Sequence, residues 1–382
     1  MKTLFTPRGA RRPLLTTLPA ALAAVAWVLL SLHPLAVAAA APHFNAKGNI
    51  LIADQFNNRV LEVDPSGTTV ATWGDGSSIA GPSSFVAPND CERVGGLTLI
   101  AATGAPAGTE DSCPNGCPDN RVVLVNKSGK IVWSYGQAGI TGSEDNQLNA
   151  PVQATYMPNA NVLITDQGNQ RVIEVNKKGK IVWQQGITGV AGSGFNELDN
   201  PNSAEFLKNG NYLIADEGNN RVIEVDVAWN VVWKADVLGD GTTLNAPAFA
   251  SRLPNGNTLI SDGGNNRAVE VDSLGNVAWQ YVTTARPGSV VQPAPSRAVR
   301  LKNGNTLISD QFNDQVIEVN PAGTIVWSYG SLGEPGRGAR QLDAPYDAKI
   351  IGDYTGLTRP PAKQNGGSGG SGGGGGYMGG GY

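Results

Sequence analysis

Asn161 opens a stretch that reads NVLITDQGNQRVIEVNKKGKIVWQQG as far as Gly186, and its alternation decides the fold. Leu163-Ile164-Thr165 is a short strand, ended by the turn signal Asp166-Gln167-Gly168-Asn169. Arg171-Val172-Ile173-Glu174-Val175 is the next, with Val172 and Glu174 on one face and Arg171, Ile173 and Val175 on the other. Lys178-Gly179 makes a hairpin turn in which glycine supplies the positive φ. Ile181-Val182-Trp183 closes the unit. A fourth, shorter strand precedes it, introduced by proline: Pro151-Val152-Gln153-Ala154-Thr155.

The unit recurs along the chain. Asn211 opens NYLIADEGNNRVIEVDVAWNVVWKAD, Asn257 opens NTLISDGGNNRAVEVDSLGNVAWQY, Asn305 opens NTLISDQFNDQVIEVNPAGTIVWSYG and Asn49 opens NILIADQFNNRVLEVDPSGTTVATWG. A degenerate sixth copy runs from Leu97 to Gly136. Arg121, Arg171 and Arg221 stand 50 residues apart, and the step from Arg59 to Arg121, at 62, is the one out of register. Four antiparallel strands per repeat, repeated radially, predict an all-β fold, a six-bladed β-propeller over residues 39–355. The first copy lacks a proline-led inner strand, while Ala344-Pro345-Tyr346-Asp347-Ala348-Lys349-Ile350 supplies one with no blade of its own. This C-terminal strand is predicted to complete the first blade and fasten the ring.

The two ends read differently. Arg8, Arg11 and Arg12, the apolar run Leu18 to Leu32 and the small residues Ala36-Val37-Ala38 have the order of a signal peptide over 1–38. An uncleaved membrane anchor is the alternative, and the sole expected link to a membrane. From 356 to 382 the chain becomes a Gly-rich tail, expected to be disordered. Loss of 1–38 removes four basic residues and no acidic one, taking the formal charge from −4 to −8. That balance, without a basic run interleaved with aromatics, argues against nucleic acid as a partner.

Recurring residues have structural roles to fill first. The tryptophans Trp73, Trp133, Trp183, Trp233, Trp279 and Trp327 are expected to pack between neighbouring blades, a stacking platform being the alternative. Asp166, Asp216, Asp262 and Asp310, each three residues before an Asn, are expected to organise turns, with calcium as the alternative ligand. Departures from the repeat point to function. In the second blade Ala102 replaces the turn Asp, and an insertion at 103–118 carries Cys113 and Cys117, expected to form a disulfide in an exported chain. Cys91 falls in a column of alanines and reads as a small core residue. The position two after each inner-strand proline holds Asp90, Gln153, Ser203, Phe249, Arg297 and Asp347, a variable ring at the channel mouth and the expected ligand-binding set, with Tyr346 beside it.

The phrase GNxLIxDxxNNRVxEVD followed by GxxVW resembles the repeat of NHL-type six-bladed propellers. It is also similar to the repeats of arylsulfotransferase-like and quinone-cofactor (PQQ-like) propellers, and the resemblance covers about residues 44–352. Such propellers include lyases, lactonases, sulfotransferases and interaction domains, so the resemblance implies the fold more than the activity. After loss of 1–38 a single histidine, His43, remains, ahead of the first blade. Routes resembling those families that need a propeller histidine, and nucleophile triads, therefore lack their base. The reading is a secreted, periplasmic or cell-surface binding module. It takes a protein, small-molecule or saccharide ligand on the channel-mouth face and the 103–118 insertion, with no resident cofactor or metal expected. The alternatives are a metal-dependent, lactonase-like hydrolase or lyase drawing on Asp90, Glu92 and Glu205, and a purely structural role.

Overall fold

The computed structural model describes residues 43–361, apart from residue 111. The expected signal peptide and most of the Gly-rich tail lie outside the described residues. Twenty-four strands pair into six four-stranded antiparallel sheets, which we number blades 1 to 6 in chain order. In blade 3 the strands run outward from the axis as Pro151–Tyr156, Val162–Asp166, Arg171–Val175 and Ile181–Gln185. The proline-led strands of successive blades touch in sequence around the axis, and that of blade 6 meets that of blade 1. Pro345–Ile350 lies antiparallel on Ile50–Asp54, with Ile350 opposite Ile50 and Ala348 opposite Ile52. Blade 1 therefore takes its inner strand from the end of the propeller sequence and its other three from the start.

Each blade is sandwiched between two others, and this changes the burial expected from alternation. Val162–Asp166 and Arg171–Val175 are buried at every residue, because both sheet faces meet a neighbour. Glu174 is tolerated there because the side-chain amides of Asn159, at 2.9 Å, and Asn161 donate to it. The outer strand Ile181–Gln185 has no further strand beside it and leaves Val182 exposed.

The tryptophans pack between blades, as the repeat implied. The Nε1–H groups of Trp233, Trp279 and Trp327 donate to the carbonyls of Ser273, Pro321 and Pro65 in the following blade, at 3.0–3.1 Å. Trp73 makes the equivalent bond to Asn126, at 2.9 Å, from a different column. It lies opposite Val60, in register with Tyr135, Tyr281 and Tyr329, while Ala71 holds the place that Trp183 holds in blade 3. The sequence aligned Trp73 by residue type; the strand register moves it two residues along.

Candidate functional site

The turn motif is fully engaged by the fold. In blade 3, Asp166 Oδ1 accepts the Asn149 N–H at 2.8 Å, and Oδ2 accepts Asn169 Nδ2–H and Arg171 Nε–H, both at 2.8 Å. The same set recurs around Asp54, Asp216 and Asp262. The residue before the repeat arginine, or before Gln315 in blade 6, is left-handed, and its side chain grips the following blade. Asn120 accepts the Ala150 N–H at 2.8 Å, Gln170 that of Asn200 at 2.6 Å, and Asn220 that of Ala246 at 2.8 Å. Asn58, Asn266 and Asp314 complete the series with Ala87, Ala294 and Ala344. The turn carboxylates thus have backbone and guanidinium donors on their lone pairs.

Blades 2 and 6 break the motif, and each carries a replacement. Ala102 has no carboxylate to offer, and Asp119, on the facing strand, takes over: Oδ2 accepts the Val86 N–H at 2.8 Å and the carboxylate pairs with Arg121. The insertion lengthens the two central strands of blade 2 to Leu97–Ala105 and Cys117–Val125, with Ala105 opposite Cys117. Cys113 and Cys117 form the expected disulfide, with Cα atoms 5.4 Å apart, and Cys113 is buried against Val86, Ala87 and Ala105. Cys91 is a free, buried core residue. In blade 6, Gln315 stands for the repeat arginine, and Arg286 from the preceding loop pairs with both Asp310 and Gln315. Pro293 stands where other blades offer an N–H, so Asp310 Oδ1 is buried without a donor. Burial pushes the Asp310 carboxyl up to about 6.

The structure brings the ring of Asp90, Gln153, Ser203, Phe249, Arg297 and Asp347 together on the axis, where all six are buried. Four of them latch the next inner strand. Asp347 Oδ2 accepts the Cys91 N–H at 3.0 Å, Asp90 Oδ2 that of Ala154 at 3.3 Å, Gln153 Oε1 that of Ala204 at 2.6 Å and Ser203 Oγ that of Ala250 at 3.2 Å. Phe249 cannot accept a hydrogen bond, and the Arg297 guanidinium lies over its ring, 4.2 Å from the centroid. Arg297 also bridges Asp347 and Asp90, each at 2.9 Å. Lys349 reaches the same two carboxylates, at 2.6 and 2.7 Å.

Two further acids lie one layer below. Glu92 Oε2 accepts the Tyr156 N–H at 2.9 Å, and burial pushes its carboxyl well up. Burial also raises Glu205, against donation from Thr358. Burial raises Asp90 too, opposed by Lys349 and Arg297. Asp347 stays low despite burial because Lys349 and Arg297 both hold its anion. Two cations thus face two aspartates, and the cluster balances its own charge. Among the described residues, no three His, Cys, Asp or Glu side chains are grouped to hold a metal ion.

A second polar layer, at the mouth, was not legible in the motif. In blades 1, 3, 4 and 6 the residue after the turn Asp joins it: Gln311 Nε2–H donates to Gln55 at 2.9 Å, and Gln55 to Asn89 at 3.0 Å. Gln167 and Asn202 both donate to Glu217, at 3.1 and 2.7 Å. Tyr346, half-buried, spans the opening from blade 1 to Asn202 of blade 4 at 2.7 Å. Burial raises its phenol, with the Glu217 charge adding to the effect. The signal was in the sequence as the amide-rich column Gln55, Gln167, Glu217 and Gln311, beside the aspartates that drew attention.

The other end of the channel is crossed by the chain that follows Ile350. Tyr354 donates to the Arg93 carbonyl at 3.2 Å, and Lys302 N–H to Asp353 at 2.9 Å. Thr358 is buried, with its N–H and Oγ1–H on Glu205 at 2.8 and 2.6 Å. Ordered contacts therefore continue past residue 355 to blade 4.

Among solved structures, a protein of unknown function from Bacteroides caccae is 16% identical, over 74% of this chain and 93% of that one, with a TM-score of 0.52. A virginiamycin B lyase from Staphylococcus aureus with quinupristin is 12% identical, over 65% and 71% of the two chains, with a TM-score of 0.42. The first likeness is one of fold. No curated protein sequence matches the chain. Residues 98–251 and 201–345 match the PQQ-type propeller family described as outer membrane protein assembly factor BamB. Those overlapping stretches span more than half of the chain, which belongs to that family.

Proposed function

We propose that the chain is an exported binding module that holds a partner protein against the channel-mouth face and the stapled hairpin at 103–118. The observation that carries this reading is the stapling of the hairpin where the repeat is broken. A disulfide closes it, Cys113 anchors it in an apolar patch, and Asp119 restores the latch that Ala102 lacks. Its tip leaves Pro106, Ala107, Gly108, Thr109, Ser112, Pro114 and Asn115 exposed. A projection held this way loses little conformational entropy when it binds. It shares its face with Tyr346 and the amide layer, supported from beneath by Asp90, Gln153, Ser203, Phe249, Arg297 and Asp347. The PQQ-type family and the disulfide support a location outside the cytoplasm. The metal-dependent hydrolase alternative would require Asp90, Glu92 and Glu205 to release Arg297, Lys349 and Thr358.

A photo-crosslinking side chain placed at Asn115, in cells that express the protein, tests the proposal against a control at Lys208 on the opposite face. Adducts from Asn115 and none from Lys208 are expected. Adducts from Lys208 alone would overturn the assignment.

A further inference from the structure

The boundary between blades 3 and 4 departs from the repeat in three places that meet in one cleft. Blade 3 carries Gln185 in the column where blades 1, 2, 5 and 6 carry Trp73, Tyr135, Tyr281 and Tyr329 and blade 4 carries Ala235, so the ring that fills this depth in four blades is missing and a polar side chain takes its place. The turn between the last two strands of blade 4 carries Trp229 where the sister turns carry Gly67, Gly129, Gly179, Gly275 and Gly323. Those glycines have φ of 72 to 85°, and Trp229 is held at 69°, a conformation that a bulky L-residue rarely adopts. Its indole Nε1–H donates to the Gln184 carbonyl of blade 3 at 3.1 Å. The loop from blade 3 to blade 4 carries Phe195 where the loop before blade 3 carries Asp145 and the loop before blade 1 carries Ala339. Phe195 is 68% exposed and meets Trp229 edge to face, with ring centroids 6.2 Å apart.

The cleft has a volume of about 410 Å³, and Gln185, Phe195, Asn196, Glu197, Arg221 and Trp229 line it. That volume falls in the range of small-ligand sites, roughly 300–1,000 Å³. Gln185 is 2% exposed, and its side-chain oxygen is buried with no donor. A buried acceptor left open costs stability unless a ligand or water supplies the donor. The charges of the cleft are already engaged. Arg221 binds Asp216 at 2.6 Å and the Ser193 and Glu197 carbonyls, and the Glu197 carboxylate accepts the Gly194 N–H at 2.9 Å. An uncharged ligand with an apolar face for the rings and hydroxyl donors at its edge matches this lining.

We infer that this cleft is a binding site for a neutral saccharide, one sugar ring lying against Phe195 and Trp229 with a hydroxyl donating to Gln185. It is a second surface, on blades 3 and 4, separate from the hairpin of blade 2. Trp229 is what sets this turn apart, because five sister turns use glycine for the same geometry, and its bond to Gln184 fixes the indole beside Phe195.

The test is calorimetric titration of the full chain with cellobiose, maltose, lactose and di-N-acetylchitobiose, beside three variants that each install a sister-blade residue. These are Trp229→Gly, Phe195→Asp and Gln185→Tyr. Saturable heat from at least one sugar is expected, weakened about tenfold or more in each variant. Trp229→Gly is expected to melt no lower than the parent, which keeps loss of binding distinct from loss of fold. Three results would overturn the inference: no heat from any of these sugars, affinity unchanged by all three substitutions, or saturation by N-acetyl-tryptophanamide in place of every sugar.

Discussion

The Asp119 carboxylate accepts the Val86 N–H at 2.8 Å, the bond that Asp166 makes with Asn149 in blade 3. It does so from the third strand of its blade, whereas Asp166 sits at the end of the second. The latch has moved strands so that the hairpin could lengthen without losing it. Replacing Asp119 with Ala removes the acceptor for Val86 and takes the carboxylate from the Arg121 guanidinium, whose side chain is 7% exposed and keeps the Gly81 and Ser84 carbonyls. A loss of about 3 kcal/mol is expected in urea unfolding. A change below about 0.5 kcal/mol would mean that the latch is idle.

Arg297 joins Asp347 of blade 1 to Asp90 of blade 2 from its own place in blade 6. Arg297→Ala leaves the two aspartates with Lys349 as their single cation and uncovers the Phe249 ring. Breaking a buried pair in this way costs about 3–5 kcal/mol. Removing Asp90 as well, as asparagine, leaves Lys349 paired with Asp347 alone and is expected to recover part of that loss. A double variant less stable than Arg297→Ala alone would contradict the charge balance assigned to the axis.

Asp310 is the turn carboxylate with an unanswered oxygen, and burial sets it near 6. A carboxyl raised in the fold is favoured as the acid, so its stabilising contribution is fully present below the unfolded value near 3.8 and fades as pH rises through about 6. Asp310→Asn removes that dependence. The variant is expected to gain on the parent as pH rises through about 6, by about 2–3 kcal/mol at most. Melting temperatures measured across that window check the sign. A variant that loses ground with rising pH would contradict it.

Thr358 closes the lower end of the channel through Glu205. Thr358→Val keeps the shape and the N–H donor but removes the hydroxyl, and is expected to cost about 1–2 kcal/mol. Protease protection of the chain after Ile351 should fall with it. An unchanged melting temperature would show that the crossing segment merely rests on the propeller.

Much of the fold was legible because it is written six times. The strand alternation, the turns and the orphan strand at Pro345–Ile350 each follow from local rules, and repetition removes the ambiguity of any single copy. Trp73 shows the limit. Residue type placed it among the tryptophans, and the pairing with Val60 places it among the tyrosines. The ring of Asp90, Arg297 and Asp347 was found as a column, but not its depth or its partner Lys349, because contacts across the axis join residues more than 200 apart. The cleft at Gln185 needed the strand register before its missing ring could be seen. Trp229 was visible in the sequence as the residue standing where the other turns have glycine.

The measurement that tests the account most directly is the crosslinking experiment repeated on a shortened chain, with 106–116 replaced by a two-residue turn, Cys117 changed to Ser because its partner is gone, and Asp119 kept. The probe moves to Phe312, 43% exposed in the turn beside the mouth. The account predicts a melting temperature close to the parent's and loss of the partner adduct, since the repeats hold the fold and the hairpin holds the partner. An adduct that persists at parental yield would place binding elsewhere, and collapse of the fold would make the hairpin part of the scaffold.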